Sequence, residues 1–349
     1  MSLAYRAVDW NRQKRLYDAT LAVLLVLTLG AFAGVTAGRN PDFTAETLLL
    51  RGSALAALLL LHVILAIGPL ARLDPRFLPL LYNRRHLGVT MFLLALLHSV
   101  LAVVQFHALG DEFPLVSVFT AYAGGGGGLA HLPFEPFGAA ALGILFLLAA
   151  TSHDFWLRNL GAPVWKALHL GVYAAYGLIV AHVALGVLQS ERHPLPALLL
   201  GAGFVALAGL HLAAAAREGR LDRAHDAAVA DGFVDACALD DLREGRARVV
   251  TVAGRRLAVW RHDGRVFATG NVCRHQGGPL GEGRIVDGCI TCPWHGWNYR
   301  PGDGCSPPPF QEVIPTHDVR VAAGRVWVRA VENPLRTRRA GAAACAQES

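Results

Sequence analysis

The chain has 349 residues, of which 54% are hydrophobic and only 17% are charged, and its mean hydropathy is +0.39. A soluble globular domain carries about 25% charged residues, so this composition disfavours a purely soluble protein. The net charge of +6 does not indicate nucleic-acid binding, because the arginines collect at the ends of apolar runs and in the final residues, as a membrane protein would place them.

Six apolar stretches in the first two thirds of the chain are each close to the ~20 residues that a helix needs to cross a bilayer. They cover residues 18–37, 52–71, 87–106, 136–152, 165–187 and 195–215. The first stretch is too long for the apolar region of a signal peptide and has no convincing cleavage site, so we expect it to be retained as a span. The sequence thus predicts an all-α bundle of six transmembrane helices, of which the fourth is the shortest.

Lysine and arginine lie mainly on one side of this predicted bundle. The basic residues on that side are Arg6, Arg12, Lys14, Arg15, Arg72, Arg76, Arg84, Arg85, Arg158 and Lys166. The loop over residues 107–135 on the other side has no lysine or arginine and contains a run of five glycines. Because positive loops stay on the cytoplasmic side, we expect both termini to be cytoplasmic in the cell inner membrane, with lipid around the spans.

Four histidines within the predicted spans form two pairs with similar spacing. His86 and His98 lie 12 residues apart in the third span, and His169 and His182 lie 13 residues apart in the fifth. These intervals correspond to about 18 and 20 Å along a helix, so the two helices offer histidines at two shared heights. A lone histidine in a membrane is more often a packing residue, but two imidazoles at one height can clamp a haem. The two intervals differ by one residue, which corresponds to a rotation of ~100° about the helix axis. The assignment of one of the four histidines is therefore open.

After the sixth span the sequence becomes charged and then rich in short β signals. Residues 218–235 are alanine-rich and helix-prone, which predicts a cytoplasmic linker helix after a membrane domain over residues 1–217. Residues 236–331 alternate polar and apolar positions between Ala-Gly and Asp-Gly turns, which predicts a small all-β domain. Residues 332–349 read as a basic, disordered tail.

Two motifs in the predicted β domain each combine a cysteine with a histidine. They are Cys273-x-His275 and Cys292-x-x-His295. A zinc finger usually pairs cysteine with cysteine and histidine with histidine. Two mixed loops instead suit a [2Fe-2S] cluster, in which two thiolates bind one iron and two imidazoles bind the other. Structural zinc is the alternative.

Residues 242–328 resemble the Rieske ferredoxin domain in motif, spacing and flanking strands. The resemblance implies that Cys273 and Cys292 bind one iron and that His275 and His295 bind the other. High-potential Rieske proteins carry a further cysteine in each loop, whereas Gly277 or its neighbours and Trp294 occupy those places here. The resemblance therefore implies a low-potential cluster, near the lower end of a range of about −150 to +300 mV. Tyr299 is either a donor to a cluster sulfur or a packed aromatic residue.

Residues 84–98 and 151–182 resemble the ferric reductase-like transmembrane family. The resemblance implies that His98 and His182 bind an outer b-type haem and that His169 binds an inner one. The spacing in the family would place the second inner ligand at Arg84, so His86 is a displaced candidate and His62 is its rival. We therefore expect one or two haems b.

The two resemblances together imply a membrane electron-transfer protein, an oxidoreductase component. No glycine-rich dinucleotide fingerprint follows a strand, so a soluble cytoplasmic reductase or ferredoxin is expected to reduce the cluster. Electrons would leave through the haem to an unidentified acceptor at the outer face or in the membrane. The alternatives are a quinol-oxidising protein that delivers electrons to a cytoplasmic partner, and an iron-sulfur redox sensor.

Overall fold

The computed structural model describes residues 12–74, 76–77, 80–81, 84–120, 133–152, 156, 160, 162–186, 188, 194–224, 229–230, 232–275, 277–294 and 296–344. The chain divides into two compact units. One unit holds residues 10–67 and 83–210, and the other holds residues 1–9, 68–82 and 211–349.

The N-terminal two thirds of the described chain are helical. The helices are α1 (Arg12–Arg39), α2 (Ala45–Leu73), α3 (Arg84–Phe106), α4 (Pro114–Thr120), α5 (Glu135–Ala150), α6 (Ala162–His169), α7 (Gly171–Leu185) and α8 (Leu195–Ala224). The predicted all-α character of this region is confirmed.

Five stretches among the described residues are long and apolar enough to cross a membrane. They are Arg15–Arg39, Ala45–Leu73, Arg84–Phe106, Val164–Leu185 and Pro196–Arg220. The predicted count of six is not confirmed, because α5 has only 16 residues. At 1.5 Å per residue it reaches about 24 Å, less than the ~30 Å of a hydrocarbon layer.

The helical unit is held by an apolar core between α2, α3, α5, α7 and α8. Its buried residues are Ala57, Leu61, Leu65, Met91, Leu145, Ala175, Tyr176 and Leu207. Helices α5 and α7 pack most closely, with Ala141 and Ala175 both almost fully buried. Small residues let two helix backbones approach, so side chains from one helix can reach the backbone of the other.

The C-terminal region is built from antiparallel strands, which confirms the predicted β domain. The strands are β1 (Val229–Ala230), β2 (Phe233–Ala238), β3 (Ala247–Val252), β4 (Arg255–His262), β5 (Arg265–Gly270), β6 (Arg284–Val286), β7 (Cys289–Thr291), β8 (Asn298–Tyr299), β9 (Thr316–Ala322), β10 (Arg325–Glu332) and β11 (Ala342–Ala343). The larger sheet has the order β1-β2-β10-β9-β5-β4-β3, with β11 added to β5. A three-stranded sheet has the order β6-β7-β8.

Two predicted segments differ from the structure at their boundaries. The linker helix over residues 218–235 is not a separate element, because α8 continues to Ala224 and β2 begins at Phe233. Alternation of buried and partly exposed residues in β2 lets it pair with β10, which overrides the local helix propensity. The tail expected to be disordered adds β11 to β5 and buries Ala344 in the domain core.

Candidate functional site

The first Cys/His loop follows β5 and closes through backbone hydrogen bonds. The Cys273 N–H donates to the Gly278 carbonyl at 2.8 Å, and the Gly277 N–H donates to the Cys273 carbonyl at 2.7 Å. Gly277 has φ +71°, a left-handed conformation that favours glycine. The loop therefore carries Cys273 and His275 on a tightly closed turn.

The second loop joins β7 to β8 with the same bonding pattern. The Cys292 N–H donates to the Trp297 carbonyl at 2.8 Å, and the Gly296 N–H donates to the Cys292 carbonyl at 2.9 Å. Gly296 has φ +68°. His295, the fourth predicted ligand, lies outside the described residues.

The two loops face each other at the predicted sulfur ligands. A Cβ atom on Gly278 would lie 2.8 Å from the Cys292 Sγ, so the thiol of the second loop packs against the backbone of the first. Cys273 and Cys292 are each only 1% exposed, and neither is in a disulfide. One buried thiol from each facing loop, with His275 beside them, fits the donor set of a mixed sulfur and nitrogen iron site.

Aromatic side chains cover the imidazole of the first loop. The rings of His275 and Trp297 are stacked at 4.0 Å with an interplanar angle of 6°. The Trp297 indole N–H donates to the Ser306 Oγ at 3.1 Å, and the Phe310 ring lies 4.2 Å from Trp297. Because Trp297 is itself buried, this arrangement limits the access of water to His275.

Tyr299 directs its hydroxyl group at the sulfur of Cys273. The Tyr299 oxygen lies 3.4 Å from the Cys273 Sγ and accepts the Arg274 N–H at 3.0 Å. Burial, reinforced by the neighbouring Cys273 sulfur, raises the pKa of Tyr299 far above its usual value, so the phenol stays protonated. An iron-bound Cys273 thiolate can only accept, so the hydroxyl would donate to it. The geometry supports the donor interpretation of this residue over simple packing.

The substitution Tyr299→Phe is expected to lower the reduction potential of the cluster. A donor to a ligand sulfur stabilises the more electron-rich reduced state. If the bond is stronger by about 1 kcal/mol in that state, its loss shifts a one-electron potential by roughly 40 mV. An EPR-monitored redox titration measures the shift, with Tyr173→Phe in α7 as the control. An unchanged potential in Tyr299→Phe would show that the hydroxyl does not act on the sulfur.

In the helical unit, His98 on α3 and His182 on α7 face each other. Their ring centroids are 6.3 Å apart, and the ring planes are inclined at 76°. The His98 Nδ1 is 3.1 Å from the Leu50 carbonyl, and the His182 Nδ1 is 2.9 Å from the Phe134 carbonyl. A carbonyl only accepts, so each Nδ1 carries the proton and each Nε2 keeps its lone pair.

The separation of these rings fits a haem iron between them. An iron–imidazole bond of about 2 Å on each side, plus about 1.1 Å from each ring nitrogen to its ring centre, gives about 6 Å between centroids. Metal-binding histidines also typically donate their other ring N–H to a carbonyl or carboxylate, as both do here. The structure thus brings the predicted outer pair together in a form suited to ligation.

His169 has the features of a metal ligand. Its ring stacks on Trp165 at 3.7 Å, and its Nδ1 donates to the Trp165 carbonyl at 3.0 Å. Its Nε2 is buried and has no hydrogen-bond partner within the described residues. Such an unsatisfied buried nitrogen calls for an explanation, and a metal ion would supply one. In the described part of the chain no ring contact joins His86 to His169.

The two candidates for the second inner ligand have different partners. His86 donates from Nδ1 to the Asp18 carboxylate on α1 at 2.6 Å. His62 donates from Nδ1 to the Leu58 carbonyl at 2.8 Å, and its Nε2 accepts from the Tyr176 hydroxyl at 3.0 Å. Both ring nitrogens of His62 are therefore engaged, which disfavours it as a ligand.

The partners of these histidines were missed by sequence reasoning. Asp18 could have been identified from the sequence. It lies at the start of a predicted span, where burying a carboxylate costs free energy unless the group has a partner. Phe134 acts through its backbone carbonyl, which carries no signal in the sequence.

Comparison with known proteins places both regions in families. Residues 51–180 match the model of the "Ferric reductase like transmembrane component", and residues 232–318 match that of the "Rieske [2Fe-2S] domain". With the apolar helices, the first match indicates a multi-pass membrane protein.

Two of the similar curated proteins each match about a quarter of the chain. The ferredoxin component of the alkene monooxygenase system of Xanthobacter autotrophicus is 32% identical over 97 residues, covering 28% of this chain and 80% of that protein. Cholesterol 7-desaturase nvd of Hemicentrotus pulcherrimus is 35% identical over 85 residues, covering 24% of this chain and 18% of that protein.

A solved complex of reduced oxygenase and oxidized ferredoxin in carbazole 1,9a-dioxygenase contains a chain that is 27% identical, with a TM-score of 0.28. That match covers 30% of this chain and 99% of the other. Residues 51–180 match the ferric reductase-like transmembrane component. Because it is 32% identical to the alkene monooxygenase ferredoxin component and covers 80% of it, the chain belongs to the Rieske [2Fe-2S] family, whose model matches residues 232–318.

Proposed function

We propose that this chain is a membrane electron-transfer protein that passes electrons between a cytoplasmic Rieske cluster and an intramembrane b-type haem. A Rieske domain joined to a ferric reductase-like component fits such a role. The observation that carries the proposal is the His98–His182 pair in the helical unit of a chain that also holds two facing thiol loops. The acceptor lies at the outer face or in the membrane.

The cluster site is proposed to consist of two sulfur and two nitrogen ligands. Cys273 and Cys292 would hold one iron, and His275 and His295 would hold the other. When bound, the cluster and the haem each supply a one-electron redox centre. Around them, Tyr299 donates to the Cys273 sulfur, and Trp297 covers the His275 ring.

The haem site is proposed between His98 and His182, whose spacing and tautomers suit two axial ligands. His169 is proposed as a ligand of an inner haem because its buried Nε2 is unsatisfied. His86 is proposed as its partner, because hydrogen bonds engage both ring nitrogens of the rival His62. One haem is thus supported by a facing pair, and a second would require His86 to approach His169.

The topology proposed for this role has six spans, with α5 as a short fourth one. Pro136 and the acidic first turn begin the helix at one face, and its 16 residues suit a locally thinned bilayer. The lysine and arginine distribution supports cytoplasmic termini in the cell inner membrane. A soluble reductase or ferredoxin would then reach the Rieske domain from the cytoplasm.

Proteoliposomes test this function directly. The purified protein is reconstituted with ferricyanide trapped inside and dithionite added outside, and reduction of the trapped ferricyanide is followed optically. Wild-type protein is expected to reduce it, whereas the double variant His98→Ala/His182→Ala is not. Absence of b-haem bands in reduced-minus-oxidised spectra, or zinc in place of iron in the loops, would reject the proposal.

The direction of electron flow is decided by the two midpoint potentials. We expect the cluster to be the more negative centre, so that it donates to the haem. A cluster much more positive than the haem would instead favour quinol oxidation with delivery to a cytoplasmic partner.

A further inference from the structure

The first turn of α5 encloses the imidazole ring of His182. The Phe134 carbonyl accepts two hydrogen bonds, from the His182 Nδ1 at 2.9 Å and from the Gly138 N–H at 3.3 Å. The Phe134 ring lies 5.4 Å from the His182 ring at 52°. Gly186 also packs against Phe134, where an added Cβ would be 2.8 Å from the Phe134 ring. Backbone atoms and one aromatic ring thus fix the imidazole.

Gly138 is the residue that allows this close approach. A Cβ atom there would lie 2.7 Å from the Nδ1, 2.9 Å from the Cε1 and 3.3 Å from the Cγ of His182. Real Cβ atoms essentially never come this close, so a side chain at residue 138 would push the ring away from the Phe134 carbonyl. Gly143 in the same helix has nothing within 4 Å of its added Cβ.

The position of the His182 ring also sets its angle to His98. The two planes are inclined at 76°, close to perpendicular. Parallel axial imidazoles make two iron d orbitals unequal in energy, whereas perpendicular ones leave them nearly equal. Nearly equal orbitals give a ferric low-spin EPR signal of high anisotropy, and unequal ones give an ordinary rhombic signal. The structure therefore predicts the highly anisotropic type for a haem held by this pair.

We propose that the first turn of α5, acting through the Phe134 carbonyl and Gly138, is a positioning element that fixes the tautomer and ring plane of His182 relative to His98. This inference rests on the proposed ligation of haem by His98 and His182, and it explains what sets the orientation of the His182 ring. The carbonyl holds the proton on Nδ1, which leaves Nε2 as the ligating atom. Gly138 supplies the space in which the ring takes its near-perpendicular orientation.

The test compares Gly138→Ala with Gly143→Ala in the full-length protein. Gly138→Ala is expected to lose the highly anisotropic signal and to bind haem 10- to 100-fold more weakly, as when the partner of a ligating histidine is removed. Gly143→Ala is expected to keep the wild-type signal and haem affinity. A wild-type EPR signal and affinity in Gly138→Ala would overturn the proposal.

A second variant covers the case in which Gly138→Ala does not accumulate in the membrane. The added Cβ in Gly186→Ala would lie 2.8 Å from the Phe134 ring and 2.9 Å from the His182 carbonyl oxygen, so this variant is expected to change the same signal. An unchanged signal in Gly186→Ala would then reject the positioning element. Failure of the proposed function is distinguishable, because it would appear as a wild-type protein without b-haem.

Discussion

Replacing His98 or His182 by alanine is expected to abolish haem binding between α3 and α7 and, with it, electron transfer to the outer face. Removing a residue that only supports a metal ligand costs about 10- to 100-fold in affinity, so removing the ligand itself is expected to cost more than about 100-fold. No other histidine ring in the described helices contacts this pair, so neither ligand has a substitute. The pyridine haemochrome assay measures haem per chain.

The matched control for this prediction is His107→Ala. His107 follows α3 and is buried, but its Nδ1 bonds to the Ser117 hydroxyl at 2.9 Å and it takes no part in the facing pair. This variant is expected to keep the wild-type haem content and spectrum. A full haem complement in both His98→Ala and His182→Ala would show that the haem, if present, lies elsewhere.

The same variants count the haems. With a single haem, His98→Ala is expected to contain no haem, whereas with two it retains about half of the wild-type haem at a shifted α-band. Adding His169→Ala then removes the remainder. If His86 is the second inner ligand, His86→Ala has the same effect as His169→Ala, while His62→Ala leaves the haem content unchanged.

The sequence predicted the features that have a local period or a fixed spacing. Apolar length identified the helices, and equal heights on two helices identified His98 and His182 as a pair. The two thiol loops were also predictable, because each closes through hydrogen bonds between residues no more than five positions apart. The residues that make such loops are all contained in one short motif.

Features that depend on contacts between distant segments were not predictable in this way. Asp18 meets His86 across 68 positions of sequence, and the carbonyl that orients His182 belongs to a residue 48 positions away. The strand β11 consists of two alanines with no β preference of their own, and pairing with β5 alone makes it a strand. The length of the apolar run also gave a wrong expectation at α5, because the helix is shorter than the thickness of a bilayer.

Replacing Cys292 by serine is expected to remove the cluster from the C-terminal domain. Serine oxygen is a poor ligand for an iron site built on soft thiolates, and a buried cluster missing one ligand exposes its iron to exchange. Iron per chain is expected to fall to the level contributed by haem alone, acid-labile sulfide is expected to be lost, and the EPR signal of the reduced cluster is expected to disappear.

Cys289→Ser, three residues upstream, is the matched control. Cys289 is half-buried on β7, and burial raises the pKa of its thiol, so it remains a neutral thiol near pH 7. Cys289 lies on β7, outside both Cys/His loops, so its replacement by serine is expected to leave the iron content and the EPR signal unchanged. Loss of iron in Cys289→Ser with retention in Cys292→Ser would reverse the assignment of the two cysteines.

The loss of the cluster is also expected to loosen the packing of the two loops. The Cys292 sulfur touches Gly278 of the opposite loop, and the rings of His275 and Trp297 stack across the same gap. Ligand binding to the native state adds to its stability, so removal of the iron takes away that contribution while the hydrogen bonds closing each loop remain. Thermal unfolding of the C-terminal domain is therefore expected to shift to lower temperature in Cys292→Ser. An unchanged unfolding temperature together with full iron loss would mean that the loops hold their facing arrangement without metal, and that the site is preformed.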